Sequence, residues 1–111
     1  MKVLKVPIEN VLKDEPKMTM LPLFGPEVNK AINMGCAMFP PGARAPAEGH
    51  ASHDEDEFSY IISGSLKCNV DGELREVKAG DVSYIPAGEQ HSSWNESDEL
   101  CTLVYMLVKR D

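Results

Sequence analysis

Along most of this chain, apolar and polar residues alternate in short runs that stop at glycine, proline or aspartate. Leu66, Cys68 and Val70 alternate with Lys67, Asn69 and Asp71, the period of two expected of a half-buried strand. Asp71-Gly72 supplies a two-residue hairpin turn, after which Glu73 to Val77 returns. Glu57 to Ser63 (EFSYIIS) is rich in β-branched and aromatic residues and ends at Gly64. Ala31 to Phe39 is mostly apolar and suits a buried strand, although its pattern also fits a helix; Pro40-Pro41-Gly42 closes it. Leu100 to Val108 (LCTLVYMLV) is almost continuously apolar, so it is expected in the middle of the core.

The first thirty residues carry less information. Lys2 to Val6 fits an edge strand, with Pro7 tolerable only at its end. Pro16, Pro22 and Pro26 argue against a continuous helix, which leaves an irregular arm with short strands over residues 1–30. Residues 31–111 then read as one all-β barrel or sandwich, because short strands follow one another with turn residues between them and no helix is indicated.

A chain of 111 residues supports one hydrophobic core. The formal net charge of −7 disfavours a nucleic-acid backbone as partner and leaves cation binding open. No apolar run approaches the roughly 20 residues needed to cross a bilayer as a helix. The N-terminus lacks the apolar core and small-residue cleavage site of a signal peptide. Cys36, Cys68 and Cys101 are odd in number and lie in apolar stretches, which reads as reduced core thiols in a cytoplasmic protein.

Candidate chemistry gathers around the stretch Gly80 to Asn95, GDVSYIPAGEQHSSWN. Val82, Tyr84 and Ile85 form a strand; Pro86 and Gly88 end and reverse it; His91 starts the next strand just past the corner. Upstream, His53 and Glu57 are four residues apart and can share a face across the acidic turn Asp54-Glu55-Asp56. Two imidazoles and a carboxylate on strands suit Fe, Mn, Co, Ni or Zn, with positions left open for substrate. Ser59 and Ile61 share the face of Glu57 and are pocket candidates. Phe58 and Tyr60 have the opposite parity and are expected between sheets or at a dimer interface. Trp94 reads as a core or rim anchor, and Met34, Cys36 and Met38 as core packing from one strand face.

These residues carry a resemblance to the cupins. Gly80, Pro86, Gly88, His91 and Asn95 fill the fixed positions of the second cupin motif, G-x5-P-x-G-x2-H-x3-N, while His53, Glu57 and Gly64 match part of the first. The resemblance implies a double-stranded β-helix, with His53, Glu57 and His91 as ligands of one divalent transition metal. The first histidine of the H-x-H element falls on Ala51, and His50 sits one residue early. His50 joins the ligand set if a bulge at Gly49-His50-Ala51 absorbs one residue, with Glu48 or Glu55 as substitutes if it points outward.

The function read from this constellation is metal-dependent catalysis on a small polar or carboxylate-bearing molecule. Lyase, isomerase or decarboxylase chemistry would follow from carbonyl or carboxylate polarisation, and dioxygenase chemistry from Fe(II). The alternative is a non-catalytic module that captures a sugar or small acid. Resemblance to small single-domain cupins implies a homodimer.

Overall fold

Nine antiparallel strands make up the computed structural model, which describes residues 1–6 and 17–110. They are β1 (Thr19–Phe24), β2 (Ile32–Phe39), β3 (Arg44–Ala45), β4 (Glu55–Ser63), β5 (Ser65–Val70), β6 (Glu73–Lys78), β7 (Val82–Ile85), β8 (His91–Trp94) and β9 (Cys101–Lys109). A five-stranded sheet in the order β1-β2-β9-β4-β7 faces a four-stranded sheet in the order β3-β8-β5-β6. The described residues contain no helix, so the fold is the all-β jelly-roll barrel expected.

The apolar strand β9 lies at the centre of the larger sheet, between β2 and β4. Its register sets rows across the inner face: Ala37, Leu103 and Ile61 stand side by side, as do Gly35, Tyr105 and Ser59. Phe39, Ala43, Leu66 and Cys101 complete the buried core between the sheets. On the outer face Cys36 and Met38 form a second buried cluster, covered by Val6, Leu21, Leu23 and Leu100. Both outcomes follow from period-two alternation, which sends neighbours on one strand to opposite faces.

Turn chemistry behaves as the residues require. Asp71 (φ 51°) and Gly72 (φ 84°) both take the left-handed conformation of a tight hairpin, and Asn69 Oδ1 accepts the Gly72 N–H at 3.0 Å. Asn95, buried at the end of β8, uses its whole amide. Its Nδ2 donates to the carbonyls of Phe39 and Glu99, each at 2.7 Å, while its Oδ1 accepts from Ser97 N and Oγ. This motif asparagine therefore ties β2 to the β8–β9 connection.

Two expectations need correction. Residues 1–6 form no strand; only Val6 docks, on Cys36 and Met38, because strand-forming residues alone do not say which sheet edge is open. In the arm, residues 19–24 form a full edge strand along β2, and Pro22 is accommodated where its missing N–H costs no ladder bond inside a sheet. The rest of the expected arm, residues 7–16, and Asp111 lie outside the described residues. The acidic turn is also shorter than read: β4 already begins at Glu55, and Glu55 and Asp56 are half-buried.

Gly64 carries two constraints at once. Its φ is 75°, and a Cβ there would lie 2.6 Å from the Leu100 carbonyl oxygen. Gly72 has a similar φ but open space around it. Gly64→Ala is therefore expected to cost roughly 1–3 kcal/mol more than Gly72→Ala in urea unfolding. Equal losses would show that the approach to Leu100 contributes nothing.

Candidate metal centre

His53, Glu57 and His91 converge at one end of the space between the sheets. One ligand atom from each lies within 4.8 Å of the others. His53 sits just before β4, Glu57 on the inner face of β4, and His91 at the first position of β8. The two imidazole rings meet edge to face, with centroids 5.1 Å apart.

Each ring is oriented by a backbone carbonyl two residues away. His53 Nδ1 lies 2.9 Å from the Glu55 carbonyl oxygen, and His91 Nδ1 lies 3.0 Å from that of Glu89. A carbonyl only accepts, so both Nδ1 atoms carry the hydrogen and donate it. In the neutral ring Nε2 is then left with a bare lone pair. His53 Nε2 is buried, has no hydrogen-bond partner, and stands 3.4 Å from Glu57 Oε1. A lone pair facing a carboxylate at that distance is repulsive until a cation, either a proton or a metal ion, lies between them. The carbonyl anchors are the arrangement expected behind metal-ligating histidines.

The loop and corner that carry the histidines are tied together. Ala51 and His91 exchange backbone hydrogen bonds of 2.9 and 2.8 Å, and Gly88 N–H donates to the His53 carbonyl at 2.8 Å. Asp56 adds a side-chain clamp: its carboxylate accepts from Ala87 N at 2.9 Å, from Arg110 Nε at 2.9 Å and from Tyr84 Oη at 3.3 Å. The Arg110 guanidinium, then the Ala87 amide, hold the Asp56 carboxyl below its ordinary value.

His50 and Glu48, expected as a possible ligand and its substitute, are exposed and stand outside this group. Alternation runs unbroken here: Ala51 and His53 line the cavity while His50 and Ser52 point to solvent. No bulge absorbs the extra residue, and Ala51 occupies the wall position itself. Glu55 supplies the carbonyl that anchors His53, and its carboxylate is engaged by Asn33 at 3.5 Å.

Behind the three residues runs a cavity of about 300 Å³. Ser59 and Ile61 line it as expected; Phe58 and Tyr60 point outward, and Trp94 stands apart from it, half-buried, with its Nε1 donating to Glu96 at 2.7 Å. Sequence reasoning missed Tyr105, Ser83, Ser93 and Cys68, which also line the cavity. The β9 run is apolar on both faces, so it hides the inward parity of Tyr105; the partners of the others come from pairing across strands. Burial pushes the Cys68 thiol up, and Ser93 Oγ donates to its sulfur at 3.4 Å. It behaves as a protonated wall residue rather than a thiolate.

The Cupin_2 family, described as a cupin domain, matches residues 35–108. The chain belongs to the cupin family. Among relatives of this cupin, the polyketide synthase CurC of Streptomyces cyaneus is 32% identical over 74 residues, covering 67% of this chain and 47% of CurC. The chain spans about half the length of the curated relatives it matches. A predicted oxalate decarboxylase of Thermotoga maritima superposes with a TM-score of 0.75 at 28% identity, over 84% of this chain and 81% of that one. A cupin 2 conserved barrel domain protein of Salinispora arenicola shares the fold, with a TM-score of 0.77 at 24% identity over 98% and 89% of the two chains. No helix among the described residues is long and apolar enough to cross a membrane.

The Asp56 clamp has a defined pH dependence. Its folded carboxyl is held below the ordinary 3.8, so its stabilisation is present above that value and is lost as pH falls through the lower folded one. Asp56→Asn is expected to unfold with a smaller gap between its urea midpoints at pH 7 and pH 3 than the wild type shows. An unchanged gap would assign the acid sensitivity to other carboxylates.

Proposed function

We propose that this cupin is a metal-dependent enzyme that holds one divalent first-row cation with His53 Nε2, His91 Nε2 and a Glu57 carboxylate oxygen. The observation that carries the reading is the buried, unpartnered Nε2 of His53 facing Glu57. The cation would supply fixed positive charge that polarises a carbonyl or carboxylate oxygen of a bound small molecule. The chain's own part is orientation: the Glu55 and Glu89 carbonyls fix both rings, and the Ala51–His91 bridge keeps the two histidine segments at one separation. Ile85 and Leu107, which flank Glu57 in register, screen the carboxylate from bulk water.

The reaction belongs among the lyase, isomerase, decarboxylase or Fe(II) dioxygenase types. The names of two relatives point to different chemistry, decarboxylation of oxalate for the Thermotoga protein and polyketide synthesis for the Streptomyces one. Elemental analysis after reconstitution with Fe(II), Mn, Co, Ni or Zn tests the site. About one equivalent is expected in wild type and in His50→Ala, and none in His53→Ala, His91→Ala or Glu57→Ala. Wild-type protein that takes up none of the five metals overturns the reading. Metal uptake and ligand binding without turnover of any ligand would make the domain a binding module.

We also propose that a second copy covers the outer face of β4 and β7. Phe58, Tyr60, Ile62, Val82 and Tyr84 are all exposed there, with Phe58 and Tyr84 stacked at 5.0 Å, and β7 is a sheet edge. So contiguous an apolar patch is unusual on a monomer, and the unpaired edge beside it favours a sheet-to-sheet partner. Sedimentation should show a dimer that Val82→Lys converts to monomer; a monomeric wild type at micromolar concentration refutes it.

A further inference from the structure

The register of the larger sheet arranges the cavity wall in layers. Glu57 stands level with Ile85 and Leu107; the next inward row holds Ser59, Ser83 and Tyr105; the row after that holds Ile61, Leu103 and Ala37. Beyond them lie Phe39 and, from the facing sheet, Leu66 and Val77. A molecule entering this space therefore meets three charged or ligating groups at one end, a few hydroxyls in the middle, and hydrocarbon at the other.

The distribution of charge is as uneven. Among the described residues lining the cavity there is no lysine or arginine, and Glu57 is the sole carboxylate. Arg44, on the neighbouring strand β3, is turned away from it: its guanidinium donates to the Pro46 and Gly49 carbonyls at 2.6 and 2.9 Å. A divalent ion bound with Glu57 leaves one net positive charge. That neutralises one anionic group on a ligand and no more. A second carboxylate or a phosphate would enter desolvated, with no cation among the described lining residues to pair it.

Tyr105 supplies the middle layer with a donor. A Cβ on Gly35 would strike its ring and hydroxyl, so the absence of a side chain at Gly35 is what lets the phenol lie flat on β2. The hydroxyl has no hydrogen-bond partner among the described residues, and burial and the nearby Cys36 and Glu57 keep it protonated. Met20, half-exposed on edge strand β1, also lines the cavity and marks a side where it meets solvent.

We propose that the ligand of this cupin is a small molecule with one chelating head of at most a single negative charge and an apolar body, and that compact dianions are excluded. The head lies at His53, Glu57 and His91, an oxygen of the ligand accepts from Tyr105, and the body fills the Ile61–Leu103–Leu66 end. This rests on the metal reading above. A volume of about 300 Å³, room for roughly ten water-sized groups, suits an aryl or short alkyl body. Such a ligand departs from the expectation read from sequence, a small polar or carboxylate-bearing molecule, by carrying an apolar body beside a single anionic head.

The test uses zinc-loaded full-length protein and titration calorimetry, with metal content measured before and after. 1-Phenyl-1,3-butanedione, a singly ionising chelator with an aryl body, is compared with malonate and oxalate at one pH and ionic strength. The diketone is expected to bind at least about tenfold tighter than either dianion. Tyr105→Phe should weaken it roughly 2- to 10-fold with zinc content unchanged. Met20→Glu, at a half-exposed position that tolerates charge, should weaken the diketone while leaving zinc in place. In chelator-stripped protein, 1-naphthol should still shift the methyl resonances of Ile61 and Leu103. Tighter binding of malonate or oxalate to zinc-loaded protein overturns the proposal and leaves the metal site standing. Protein that takes up none of the five metals but still binds 1-naphthol removes the metal reading and keeps the apolar cavity; failure of 1-naphthol to bind removes the apolar body.

Discussion

Pairing of β4 with β9 is the constraint on which both faces of this protein depend. Glu57 lies opposite Leu107, Ser59 opposite Tyr105, and Ile61 opposite Leu103. A slip of one residue would send Glu57 to the solvent face and carry Phe58 and Tyr60 into the cavity. The carboxylate facing the two histidines would be lost and the outer apolar patch would become polar in the same step. Burial follows the register: Ser59 and Ile61 are buried, whereas Phe58, Tyr60 and Ile62 are exposed. β2 on the other side of β9 repeats the logic, placing Gly35 beside Tyr105 and Ala37 beside Leu103. Small residues there leave space that larger ones on β4 and β9 would otherwise close.

The polar end of the cavity is expensive to build, and its cost is met locally. Two imidazoles lose water on burial, but each keeps one hydrogen bond through Nδ1 to a carbonyl of its own loop. That leaves the partner of Nε2 to come from outside the chain, since Glu57 offers only lone pairs. The corner at residues 86–88 is held from both sides, by the His53 carbonyl and by the Asp56–Arg110 pair. The second tie joins residues 54 apart in sequence, so the end of the chain helps fix the corner that carries His91.

Much of this was legible in the chain. Alternation in Leu66–Val70, the Asp71-Gly72 hairpin, the apolar run of β9 and the Pro86–Gly88 corner all follow from local physics, and the strands they mark formed where the pattern placed them. His53, Glu57 and His91 were legible because strand parity and a turn are enough to aim them. Less local features were not. Whether His50 turns inward depends on a bulge, and only the Ala51–His91 bridge shows that none forms. Glu55 and Asp56 read as a solvated turn because their acidic character hides a long-range partner in Arg110. Lys2–Val6 has the composition of a strand but finds no ladder. The apolar layering of the cavity arises from cross-strand neighbours, which no single run of sequence displays.

Ala51 links the composition of the site to its selectivity. It lines the cavity beside His91, at the wall position where a further ligand would stand, and its methyl group offers no electron pair. With three protein ligands instead of four, a cation proposed for this site retains more open positions and relies on its ligand to fill them. The layers next to His53, Glu57 and His91 carry hydroxyls and hydrocarbon rather than other charged groups. Binding there expels water from the apolar rows first. The field of the cation on the head group strengthens as that water leaves, because screening falls with it. An apolar body thus does more than fill space. It dries the centre, and a compact dianion, which brings no hydrocarbon, leaves the centre wet and its second charge unpaired.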